Sequence, residues 1–139
     1  MVKLVKIIMG QKGSGKTKQL VDLVHKAIIE EKGDLVCIEK GAKLKYDIPY
    51  RVRLIEASEF EFEGYYFLKG FICGLCSANY DITHIFIDSV LRIIGAGVDE
   101  KAEDFFEWCE SFGERGNVNF TITVSADVSL ATDRIKKYF

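Results

Sequence analysis

The residues best suited to chemistry stand near the start of the chain, where Gly10-Gln11-Lys12-Gly13-Ser14-Gly15-Lys16-Thr17 satisfies the pattern G-x-x-x-x-G-K-[ST] in full. Glycines let a backbone curl so that successive N–H groups point inward, and a helix starting directly behind them adds its positive end. Such a loop cradles phosphate. Lys16 would set a point charge against the β and γ phosphates of a nucleoside triphosphate, and the Thr17 hydroxyl would ligate magnesium. All eight residues are therefore expected to bind nucleotide, with Mg2+ accompanying it. The chain has no Asn-Lys-x-Asp guanine-reading motif, so ATP is expected by elimination.

A second set lies further along. Ile85-Phe86-Ile87-Asp88 is an apolar strand ending in a carboxylate, and Asp88 is expected to share the magnesium with Thr17, often through water in sites of this kind. Ser89 follows, where many ATPases carry a glutamate that activates the attacking water. Two other glutamates end strands, Glu39 the second and Glu56 the third, which would bring both to the carboxyl edge of the sheet. Glu39 is the preferred candidate, so Lys16 and Glu39 are the expected catalytic residues.

These groups need a scaffold that brings strand ends together. Branched, apolar runs occur at Leu4 to Met9, Leu35 to Ile38, Val52 to Ile55, His84 to Ile87 and Val118 to Val124. Between the first two, Leu20, Val24, Ala27 and Ile28 recur at helical spacing, as do Ala102, Phe105, Phe106, Cys109 and Phe112 behind Asp99, Glu100 and Glu103. Continuous apolar strands separated by helices predict an α/β fold: a mostly parallel five-stranded sheet with helices on both faces. With 139 residues, 48% hydrophobic, and one proline, residues 1–139 are expected to form a single nucleotide-binding domain. Lys40 to Arg51 is expected to be a long surface loop.

The remaining features bound the partners. A net charge of -2 gives no global attraction to nucleic acid, which would need a local patch. The segment Lys40, Lys43, Lys45, Arg51 and Arg53 with Tyr46 and Tyr50 could form one, although a solvated loop is the simpler reading. Met1 to Met9 is interrupted by Lys3 and Lys6, leaving no run suited to a signal peptide or membrane span, so a cytoplasmic protein with no membrane partner is expected. Cys37, Cys73, Cys76 and Cys109 then read as reduced, buried thiols rather than a zinc site, and Gly70 and Gly74 as the face of a helix pressed closely against a neighbour. His25 and His84 read as structural. Arg134, Lys136 and Lys137 would complement a helix C-terminus or meet a phosphate, and Arg92 and Arg115 pose the question of an arginine acting on phosphate.

In order, GQKGSGKT with its helix, LVCIEK, IFIDSV, a further helix and NFTITVS resemble the RecA-like branch of the P-loop NTPases, in particular small stand-alone bacterial P-loop proteins. The resemblance implies a catalytic glutamate at the end of the strand after the P-loop helix, which Glu39 matches, an aspartate-serine pair like Asp88-Ser89, and a polar sensor like Ser125. It also implies nucleotide held between subunits, hence a homo-oligomer or protein partner. The resulting expectation is a magnesium-dependent ATP-binding protein and ATPase. The alternatives are a nucleotide-binding switch or assembly module with little hydrolysis and, less favoured, a small-molecule kinase similar to thymidine kinase, whose glutamate after the aspartate is replaced by Ser89.

Overall fold

Each apolar run predicted from the sequence becomes a strand. They are β1 (Val5–Gly10), β2 (Asp34–Glu39), β3 (Arg53–Glu56), β4 (Ile82–Ile87) and β5 (Asn119–Ser125) in a computed structural model that describes residues 4–139. The opening of the Met1 to Met9 stretch, Lys3 included, lies outside the described residues. The strands form one sheet in the order β1-β5-β4-β2-β3, every pairing parallel. Parallel strands need crossovers. These are supplied by α1 (Lys16–Glu30), α2 (Gly64–Ala78), α3 (Val90–Ile94) and α4 (Glu100–Gly116), with a short α5 (Asp133–Lys136) after the last strand. Among the described residues no helix is long and apolar enough to cross a membrane.

Alternation along the strands divides the core between two faces. Leu35 and Cys37 of β2 and Phe86 of β4 meet Leu20, Val24 and Ala27 of α1 on one face. Val36, Ile38, Ile85, Ile87, Phe120 and Ile122 meet Leu68 and Ile72 of α2 and Phe105, Phe106 and Cys109 of α4 on the other. Burial of each such side chain stabilises the fold by about 1.5–3 kcal/mol. The helix α4 starts where its acids indicate: Asp99 caps it by accepting the Ala102 N–H at 2.9 Å.

Three expectations need correction. The 40–52 connection is not simply a surface loop, because Leu44, Ile48 and Val52 are buried in the α1-side core. The Ile48 N–H donates to the Leu44 carbonyl at 3.0 Å, a helical turn that stands in for a missing crossover helix and closes this face of the sheet. Gly70 and Gly74 are not pressed against anything: a Cβ on either would meet open space, since α2 buries the face bearing Tyr65, Leu68 and Ile72 instead. Cys73 shares that outer side and is exposed, whereas Cys37 and Cys109 are buried on opposite faces of the sheet.

Strand order decides which loops become neighbours. β5 stands between β1 and β4, with Gly10 in register with Ser125 and Ile87 with Ile122. The last residues of β5 therefore lie between the glycine-rich loop and Asp88.

Candidate functional site

The loop leaves β1 at Gly10 and enters α1 at Lys16. Gly13 and Gly15 both have φ of 86°, the left-handed region that side-chain-bearing residues avoid. At Gly10 the constraint is space, because a Cβ there would lie 2.5 Å from Ser14 Oγ. Gln11 ties the loop to the segment after β5, donating from Nε2 to Asp127 Oδ2 at 2.7 Å. Lys16 is 6% exposed, and its ammonium donates to the Gln11 carbonyl at 3.0 Å. A buried ammonium held at the mouth of a helix N-terminus is a positive point set for an anion.

The loop forms one wall of a cleft of about 520 Å³, lined among the described residues by the cations Lys12, Lys16, Lys18, Lys43 and Arg92 and by the single carboxylate of Asp88. Its local charge is opposite in sign to the net charge of -2 on the whole chain. Such a local field attracts anions.

Asp88 follows β4 and is 9% exposed. The Thr17 hydroxyl lies 3.5 Å from its Oδ1 and 3.4 Å from its Oδ2, too long for a tight O–H···O bond. Hydroxyl and carboxylate oxygens so placed, facing a cationic cleft, are the hard donors that magnesium takes, leaving its other positions to water and phosphate. Asp88 is fixed by Thr123, whose hydroxyl donates to Oδ1 at 2.7 Å. Ser89 has φ of 53°, unusual for a residue with a side chain, and its Oγ stands 3.4 Å from Ser125 Oγ. Both serines line the cleft.

Among solved structures, the flagellar accessory protein FlaH of Methanocaldococcus jannaschii matches with a TM-score of 0.56 and 14% identity, over 96% of this chain and 65% of FlaH. The chain has the P-loop NTPase fold. It spans about two thirds of the length of FlaH. The pCW3 conjugation coupling protein TcpA, in a monomer form with ATPγS, matches at TM-score 0.48 and 16% identity, over 96% of this chain and 46% of TcpA. Domain III of the Thermotoga maritima replication initiation protein DnaA matches at 0.46 and 18%, over 96% and 50%. No protein-family model and no curated protein matches the sequence.

Within this P-loop fold, Gly10 to Thr17 and Asp88 come together at one edge of the sheet. Glu39 is not among the residues lining the cleft. It is 3% exposed, and its two oxygens accept the N–H groups of Lys43 at 3.0 Å and Leu44 at 2.8 Å, which anchors the turn that carries Lys43 to the cleft. Burial holds its carboxyl above the ordinary value, with Asp88 and Glu56 adding to the rise and the two amides opposing it. Glu56 pairs in register with Glu39 on the edge strand β3. Arg92 lines the cleft, whereas Arg115 is in the last turn of α4. Arg134 and Lys136 stand in the last turn of α5, where a cation complements the helix end, and Arg134 also bonds Glu103, Asp104 and Glu107 of α4.

Sequence reading missed Thr123 and gave Lys43 no place in the phosphate site. Thr123 did leave a signal, since Thr121 and Thr123 interrupt NFTITVS at alternate positions, an odd pattern for a strand buried on both faces.

Proposed function

We propose that this chain binds magnesium and ATP in the P-loop cleft and hydrolyses the nucleotide. The observation that carries the binding reading is the convergence, in a cationic cleft, of the P-loop with the Thr17 hydroxyl and the Asp88 carboxylate. The loop N–H groups and Lys16 would hold the β and γ phosphates, with Lys12, Lys18, Lys43 and Arg92 neutralising the charge around them. Thr17 and Asp88 would hold Mg2+, which when bound would neutralise phosphate charge and fix the geometry of the triphosphate. Glu39 would orient the attacking water once its carboxylate is released from the Lys43 and Leu44 amides. A second subunit or a protein partner would complete the open side of the cleft.

Those same two amide bonds favour a second reading, a nucleotide-binding switch with little hydrolysis, in which the state of the site is passed to the 40–52 segment. Phosphate release by the wild type, Lys16→Ala and Glu39→Gln separates the two. The hydrolase reading predicts turnover in the wild type and its loss in both variants. Identical background rates in all three would remove it, and a magnesium-ATP thermal shift without turnover would select the switch.

A further inference from the structure

We propose that Thr123 is a positioning residue that sets the Asp88 carboxylate for the magnesium–triphosphate complex, which rests on the reading of the P-loop cleft as a nucleotide site. Thr121 and Thr123 both point from β5 toward the α1 side of the sheet. Each is nearly or wholly buried, at 3% and 0% exposure, so each hydroxyl needs a partner. Thr121 finds one in His84, whose Nε2 is 2.8 Å away and whose Nδ1 is 2.7 Å from Glu31 Oε2 at the end of α1, well apart from the phosphate edge. Thr123 is used differently.

A hydroxyl has one proton and can accept two. Thr123 gives its proton to Asp88 Oδ1 at 2.7 Å and accepts the Ser89 N–H at 2.7 Å. The carboxylate is an acceptor and the amide a donor, so neither bond can be reversed and the hydroxyl has one orientation. Asp88 consequently cannot rotate freely, because one oxygen is tied to β5 while the other lies 3.4 Å from Thr17 Oγ1. The Ser89 peptide is also held where that residue takes φ of 53°, beside Ser125 at the edge of the cleft. Because β5 lies between the P-loop strand and β4, a rigid sheet strand fixes the carboxylate from behind while the cleft side stays open to ligand.

Thr123→Val keeps the side-chain shape and removes both bonds; Thr123→Ser keeps both. The measurement is the dissociation constant of a non-hydrolysable ATP analogue with magnesium and with EDTA. The wild type should bind more tightly with magnesium. Thr123→Val should lose about tenfold or more of that magnesium-dependent tightening, the size seen when groups behind a metal ligand are removed, while its affinity in EDTA stays within about twofold. Thr123→Ser should restore the tightening. In an Asp88→Asn background, Thr123→Val should add nothing further, and Thr123→Ala serves in the same cycle if the valine protein does not fold. Full magnesium tightening in Thr123→Val, or an equal loss with and without magnesium, overturns the proposal. A wild type that binds no analogue under either condition overturns the binding reading and this proposal together, and is recognised before any substitution is made.

Discussion

At the scale of the residue, Glu39 joins the site to its surroundings. Its carboxyl is held above the ordinary value of 4.5, chiefly by burial. The folded protein therefore holds this proton more tightly than the unfolded chain, so the stability Glu39 contributes is full below about 4.5 and is lost as pH rises through its higher folded value. Glu39→Gln does not titrate. Denaturant unfolding of both proteins from about pH 4 to about pH 8 should show the wild type losing stability relative to Glu39→Gln as pH rises; a difference that stays constant over that range would contradict the assignment. That Glu39 ends the strand after the P-loop helix could be read from LVCIEK. That its oxygens cap residues four and five positions later could not, because it depends on the following turn folding back, which in turn depends on burying Leu44 and Ile48. Thr123 was legible only as a polar interruption, since its partners are the two residues that follow β4.

At the scale of the element, the segment after β5 shows how the outer edge of the sheet is closed. The Ile7 N–H of β1 donates to the Tyr138 carbonyl at 2.8 Å, and Ile135 and Tyr138 are buried in the core that α4 covers. Arg134 fastens this segment to α4 through Glu103, Asp104 and Glu107, and Thr132 bonds Glu103 as well. Its hydrogen bonds hold the Glu107 carboxyl down at about 2. Because the folded value is depressed, the stabilisation is present above the ordinary value of 4.5 and is lost as pH falls toward about 2. Arg134→Ala should thus melt below the wild type at neutral pH, and the gap should close as the buffer is taken through that acid window. A gap of the same size at every pH would show that Arg134 acts only through packing of its stem. The five strands and the α1 and α4 helices were legible because each carries a strong apolar period. The acidic partners of Arg134 are remote in sequence, and the open side of α2 was misread because glycine spacing shows a helix face without showing what lies against it.

At the scale of the whole molecule, a parallel sheet with the order β1-β5-β4-β2-β3 gathers the P-loop, Asp88, Ser89 and Ser125 at one edge, although they are scattered through the sequence. Strand order is a product of helix packing on both faces, so the element sequence alone left it open. The same packing concentrates five cations around one carboxylate in a chain whose net charge is -2. Local field and overall charge thus point in opposite directions, and it is the local field that a triphosphate would meet. The most direct measurement is calorimetric titration of the intact chain with ATP in the presence of magnesium, beside Lys16→Ala. Saturable binding by the wild type is predicted, weakened about 10- to 100-fold by loss of the charged contact. Absence of binding in the wild type, or equal affinity in the two proteins, would contradict magnesium–triphosphate binding at the loop from Gly10 to Thr17.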